Sequence, residues 1–186
     1  MKLLFFDLET TGTNPGKNGI DQISGEIVID GTSKEKFDFK VQPNPKCLIE
    51  QQALDVAGVT REQVLAYPPM GEIYNQFTAM LGKYVDKYKK TDKFFLVGYN
   101  NASFDNQFLR GFFLQNNDQF FGSWFWSNSI DVMVLASNKL VERRAEMENF
   151  KLSTVAKFLG IQVSEDNLHD AFYDIYLTKA IFDIVK

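Results

Sequence analysis

Leu3-Leu4-Phe5-Phe6-Asp7-Leu8-Glu9-Thr10-Thr11-Gly12 is the stretch on which the reading of this chain turns. It is a very apolar strand that ends in a pair of acids. Residues i and i+2 of a strand point to the same face, so Asp7 and Glu9 stand side by side while Leu8 turns away. Two carboxylates at that separation repel each other unless a proton or a cation lies between them. Thr10-Thr11-Gly12 then ends the strand and brings backbone N–H groups close to the same spot. The arrangement suits a divalent metal better than it suits a core.

The chain continues outward from this strand with a polar turn, residues 13–19, rich in turn formers. Residues 20–30 and 35–42 read as two strands, with Asp30-Gly31 as the hairpin signal between them. Short helical pieces are predicted over 50–66 around Gly58, and a longer helix over 70–89 from the spacing of Ile73, Phe77, Met80, Leu81 and Tyr84. Residues 94–97 form a short apolar strand of the buried kind. A helix carrying Phe104, Phe108 and Phe112 follows from Ser103. A last strand at 129–132 runs into a helix ending near 141. Helices at 152–159 and from about 168 to 185 complete the order. Strands as a meander, then strands alternating with helices, predict an α/β fold: a mixed central sheet of about five strands with helices on both faces. In such sheets the site lies at the carboxyl ends of the central strands. Asp7, Glu9 and Asp105 all fall there.

With 186 residues the chain is expected to form a single domain over residues 1–186 with a substantial core. Hydrophobic residues make up 45%, and 18 residues are Phe, so that core should be aromatic-rich. Lys+Arg 20 against Asp+Glu 24 gives a formal net charge of -4, which argues against a surface that coats duplex nucleic acid. It leaves room for an enzyme that grips only a chain end, where bound cations supply local positive charge. A single cysteine, Cys47, excludes an internal disulfide framework and fits a reducing compartment. Without a leader pattern or an apolar run of membrane length, a cytoplasmic protein with no membrane partner is expected.

Three further elements bear on chemistry. Asp105, in Gly98-Tyr99-Asn100-Asn101-Ala102-Ser103-Phe104-Asp105, opens a helix, where acids are favoured by the dipole in any case. In Asn167-Leu168-His169-Asp170-Ala171-Phe172-Tyr173-Asp174, Asp170 fits the third helical position if Asn167 is the cap. Asp174 would then lie one turn deeper, where the dipole gives it no support. His169 is the only histidine. A lone histidine is more often structural than catalytic.

Taken together these pieces resemble the DEDD superfamily of 3′→5′ exonucleases, in its histidine-containing branch. Within it they are most like the proofreading (epsilon) subunits of bacterial DNA polymerase III and their stand-alone relatives. Asp7-Leu8-Glu9-Thr10-Thr11-Gly12 looks like the first family motif, Asn101-Ala102-Ser103-Phe104-Asp105 like the second, and His169-Asp170-Ala171-Phe172-Tyr173-Asp174 like the third. The resemblance implies an RNase H-like fold and two divalent ions, Mg²⁺ or Mn²⁺, held by Asp7, Glu9, Asp105 and Asp174, with His169 taking a proton from the attacking water. It also implies a pocket for the terminal nucleotide around Leu8, Thr10, Thr11 and Gly12, with Val59 as an apolar wedge and Asn101 and Phe104 beside the scissile end. The expected substrate is the 3′ end of single-stranded DNA, released as nucleoside 5′-monophosphates. RNA ends or short oligoribonucleotides are the alternative. A polymerase subunit is a candidate partner, and oligomeric state is left open.

Asn100 departs from the family pattern, which often has His there, and so does Ala57, where relatives often carry a polar residue. Three features are set aside: Asp131, read as the cap of the following helix; the lysines at 83, 87, 89, 90 and 93, read as a solvated face; and the aromatic segment 120–126, read as a cover over the core. Arg143 and Arg144 are candidate phosphate contacts.

Overall fold

The computed structural model describes residues 1–168 and 170–186. The expectation for His169 lies outside the described residues. Five strands form one mixed sheet, β1 Lys2–Thr10, β2 Ile20–Ile29, β3 Thr32–Lys40, β4 Phe95–Gly98 and β5 Ile130–Asp131, in the order β3-β2-β1-β4-β5. The meander β1-β2-β3 is antiparallel, and β4 and β5 add in parallel. The β2–β3 turn is closed by Asp30 and Gly31, both at positive φ (50° and 79°), the conformation a tight hairpin of right-twisted strands requires.

Strand alternation sorts the core into two layers. Leu4, Phe6 and Leu8 pack with Ile23 and Ile27 beneath α3 (Met70–Gly82) and α4 (Asp105–Gln115). Leu3, Phe5, Val28 and Val97 face α6 (Val132–Lys139), α7 (Leu152–Phe158) and α8 (Ala171–Val185). Helices therefore cover both faces, as expected. The first layer is an aromatic lattice in which Phe77, Phe113, Phe121 and Phe125 meet edge to face or tilted at centroid distances of 4.7–6.4 Å. Each such pair adds about 0.5–1.5 kcal/mol beyond the area it buries. On the other face α8 docks on β1 through Phe182 against Phe5, at 5.6 Å.

Two short helices, α1 Gln51–Ala57 and α2 Arg61–Leu65, flank Gly58 at φ 65°. The Thr60–Gln63 capping box starts the second of them. The helix predicted over 70–89 stops at Gly82. Beyond it the Asp86 side chain accepts from Tyr88 N and Asp92 from Asp86 N, local bonds that compete with helical ones. The last helix begins three residues later than the sequence suggests. Asp170, not Asn167, is its N-cap, accepting from Tyr173 N at 2.9 Å. Asp174 therefore sits in the first turn, where the helix dipole does favour an acid.

Candidate active site

The site follows from the parity of β1. Leu3 and Phe5 point toward α8, so Asp7 and Glu9 continue that row past the end of the helix-covered core. β4 pairs with β1 as far as Phe5, and α4 starts a short loop later, which brings Asp105 to the same place. The Leu8 backbone N–H helps to hold the Asp105 carboxylate. The first turn of α8 brings Asp174 near enough to raise both Asp7 and Glu9.

The electrostatics bind these groups into one cluster. Burial, then the charges of Asp105, Glu9 and Asp174, hold the Asp7 carboxyl well above the usual carboxylate range. Glu9 is raised to about 7 by burial, then by Asp21 and Asp174, with Lys40 working against the rise. Asp105 is raised to about 7, chiefly by burial, with the backbone N–H groups of Asp105 and Leu8 pulling it partly back. Where carboxylates crowd a neighbour, as Asp105, Glu9 and Asp174 crowd Asp7, protons or cations stabilise the group. Four hard oxygen-donor side chains suit Mg²⁺ or Mn²⁺. Among the described residues no group of three or more acids stands close enough together to hold a metal ion.

An open cavity of about 300 Å³ lies beside Glu9, lined by Leu8, Glu9, Thr10, Gly12, Thr13, Glu50, Gln52, Ala53, Val56 and Phe104. Of the expected substrate residues, Leu8, Thr10, Gly12 and Phe104 lie on it. Thr11 and Asn101 are fully buried instead. The Thr11 hydroxyl donates to Leu48 O (2.7 Å) and accepts from Gly19 N (2.9 Å), so it braces the wall rather than facing the cavity. Asn101 donates to Asn106 Oδ1 within the loop that leads into α4. Val59 stands outside the lining, where exposed Val56 supplies the apolar surface.

Two structural residues, Asn18 and Asp21, escaped the sequence reading, and Asp131 does more than cap a helix. Asn18, buried under the Thr-Thr-Gly turn, donates from Nδ2 toward Thr11 O, Leu48 O and Glu50 Oε1 at 3.0–3.2 Å. A Cβ on Gly12 would lie 2.3 Å from that Nδ2, so the turn needs glycine for the close approach. Asp131 caps α6 as expected, accepting from Met133 N at 3.0 Å, and also accepts from Asn100 N (3.0 Å) and Ala102 N (3.2 Å). It thereby fixes the turn at Asn100 (φ 63°) that delivers Asp105. Asp21 lies where the β1–β2 register shifts beside Glu9; it is buried, raised to about 6 chiefly by desolvation, and its Oδ1 has no hydrogen-bond partner among the described residues. An acid between Ile20 and Gln22-Ile23 was the available signal. Arg143 and Arg144, the phosphate candidates, are occupied: Arg143 pairs with Glu146 and covers Phe158, and Arg144 donates to Met147 O and covers Phe150.

A mixed five-stranded sheet with helices on both faces and an acid cluster at the carboxyl ends of β1 and β4 defines an α/β protein of the RNase H-like type. The chain belongs to the exonuclease family: the family model described as Exonuclease (RNase_T) matches residues 4–182. That agrees with the DEDD superfamily its motifs resemble, whose members depend on divalent metal ions. The chain is 30% identical over 199 residues to exodeoxyribonuclease I of Escherichia coli (strain K12), across 98% of this chain and 39% of that protein. It is 28% identical over 173 residues to the PolC-type DNA polymerase III of Oceanobacillus iheyensis, across 93% of this chain and 10% of that one. The crystal structure of E. coli Exonuclease I in complex with a dT13 oligonucleotide superposes with a TM-score of 0.77 at 24% identity, covering all of this chain and 41% of the other. The chain thus spans about two fifths of exodeoxyribonuclease I and about a tenth of the PolC-type polymerase. No helix among the described residues is long and apolar enough to cross a membrane.

Proposed function

We propose that this domain is a metal-dependent 3′→5′ exonuclease that releases nucleoside 5′-monophosphates from the ends of single-stranded DNA. The observation that carries this reading is the carboxylate cluster itself. Asp7 and Glu9 come from β1, Asp105 from α4 and Asp174 from α8, and the charges of Asp105 and Asp174 raise both Asp7 and Glu9. Asp7, Glu9, Asp105 and Asp174 would hold the cations, which when bound polarise the phosphate and stabilise the leaving oxygen. Leu8 and Phe104 offer apolar surface to the terminal sugar and base, a contact that tolerates any base. Thr10 and Gly12 present the edge of a turn that Asn18 holds rigid. His169, carried by the motif resemblance, would accept the proton of the attacking water, a role suited to imidazole near neutral pH.

The relatives support single-stranded DNA as substrate, since a protein of similar fold is described with a dT13 oligonucleotide. The PolC-type relatives support a second setting, in which such a domain works beside a polymerase to remove misincorporated ends. A cytoplasmic location fits either setting.

The test is incubation of 5′-labelled single-stranded DNA and RNA with protein and Mg²⁺ or Mn²⁺, beside an EDTA control. Ladders that shorten stepwise from the 3′ end and vanish in EDTA are expected, with DNA cut faster than RNA. Cleavage from the 5′ end, or cleavage that survives EDTA, would overturn the proposal.

A further inference from the structure

Two stretches set aside in the sequence meet in the fold. The lysine-rich turns after α3 and the aromatic segment around α5 (Phe121–Trp124) share an open cavity of about 530 Å³, lined by Lys87, Tyr88, Lys90, Phe120, Ser123 and Trp124 with Asn117 and Asp118. Most of the aromatic segment does cover the core, with Phe121, Trp124 and Phe125 buried. Phe120 is different: it is 73% exposed, and Tyr88 across the cavity is 86% exposed. Rings left this far in water stabilise no core.

Cations surround them. Lys87 Nζ lies 5.5 Å from the ring centroids of both Tyr88 and Trp124, and Lys93 Nζ lies 5.3 Å from that of Trp126. Lys87, Lys89, Lys90 and Lys93 form no ion pair among the described residues, whereas neighbouring Lys83 is held by Glu35. Residues 83–93 carry five lysines against Asp86 and Asp92, and Asp92 is itself paired with Lys2. This face is therefore positive on a chain whose net charge is -4.

We propose that this cavity is a second binding site for single-stranded nucleic acid, separate from the acid cluster, with bases stacked on Tyr88 and Phe120 and phosphates met by Lys87, Lys89, Lys90 and Lys93. Unpaired cations beside exposed rings match a polyanion whose bases have free π-faces, and neither feature alone would select it. The site lies at the amino end of β4, since Phe94 N donates to Trp124 O and Trp126 N to Phe94 O. The acids lie at the other end of the sheet, about 23 Å away along β1 from Lys2 to Glu9. A short oligonucleotide held at the acids cannot reach it. A long one can, and would be kept on the enzyme between successive cuts. The second site presupposes the polynucleotide substrate proposed above only for that benefit, and its binding can be measured without turnover.

Both tryptophans of the chain, Trp124 and Trp126, report on this face alone. In EDTA, titration of the wild-type protein with dT30 is expected to quench tryptophan fluorescence saturably, with an affinity that falls as salt rises. The double variant K87E/Y88A and the single variant F120A are expected to weaken dT30 binding at least tenfold. They should leave kcat/KM on dT3 unchanged and raise KM on dT30. Unchanged dT30 affinity in folded variants would overturn the proposal and leave the nuclease reading intact. Quenching by dT30 in a protein that cuts no end would uphold the site and sink the nuclease reading. Quenching by phosphatidylserine vesicles but not by dT30 would overturn the assignment in favour of a membrane surface.

Discussion

Replacing Asp105 with Asn should make the metal-free domain more stable at alkaline pH while removing its activity. Asp105 is 6% exposed, and burial lifts its carboxyl from 3.8 to about 7. Below about 3.8 the folded and unfolded states both hold the proton, and the buried acid costs nothing. Between about 4 and 7 the unfolded chain ionises first, so the folded state loses ground, and above about 7 the full penalty is present. At about 1.4 kcal/mol per pH unit the span from 3.8 to 7 corresponds to about 4 kcal/mol. Asp7 and Glu9 titrate in the same cluster and share that penalty, so relief by one substitution should be nearer about 2 kcal/mol. For a domain of this length that is a rise in Tm of about 4–8 °C. Asn keeps the volume and still accepts from the Leu8 backbone. Thermal unfolding followed by circular dichroism in EDTA, at pH 8 and pH 4.5, measures the effect. The gap should be present at pH 8 and mostly gone at pH 4.5. An Asn variant less stable than wild type at pH 8, or a gap independent of pH, would refute the electrostatic account of the site.

Binding of divalent cations to the wild-type protein at pH 7 should release protons, because Glu9 and Asp105 each titrate at about 7; calorimetry in two buffers of different ionisation enthalpy gives the number, about one or more. Gly12→Ala should cut turnover at least tenfold, because the added Cβ would meet Asn18 and push the Thr-Thr-Gly turn off the cavity edge; steady-state kinetics reads it. Asp131→Leu should destabilise the domain by about 2–4 kcal/mol in denaturant unfolding, since the N–H groups of Asn100, Ala102 and Met133 lose their acceptor. The same variant should bind Mn²⁺ more weakly, although Asp131 is not one of the assigned ligands.

The legible parts of this fold were those written in local pattern. The β1 run, the Asp30-Gly31 hairpin and the apolar strand before Gly98 each announced themselves by composition and turn chemistry, and three of the acids fell where strand ends or helix starts had to be. What escaped was set by neighbours. Helix α3 ends early because Asp86 and Asp92 offer the backbone other partners. The start of α8 moved because Asp170 competes with Asn167 as a cap, which gave Asp174 a dipole the sequence reading denied it. Asp21 reaches Glu9 through a register shift between β1 and β2, and periodicity alone does not reveal a bulge. Thr11 and Asn101 lie in the right motifs, yet the Thr11 hydroxyl and the Asn101 amide N–H are bonded within loops. The lysines and the aromatic segment meet only because Phe94 bridges to residues 124–126.

The account stands or falls on whether Asp7, Glu9, Asp105 and Asp174 act as one cation site. Equilibrium titration of the metal-stripped protein with Mn²⁺ at pH 8, followed by electron paramagnetic resonance of the free ion, measures this without any turnover. Two bound ions per wild-type chain are expected, with tight binding lost in both Asp7→Ala and Asp174→Ala. Wild-type protein that binds no Mn²⁺, or either variant binding as wild type does, would contradict it.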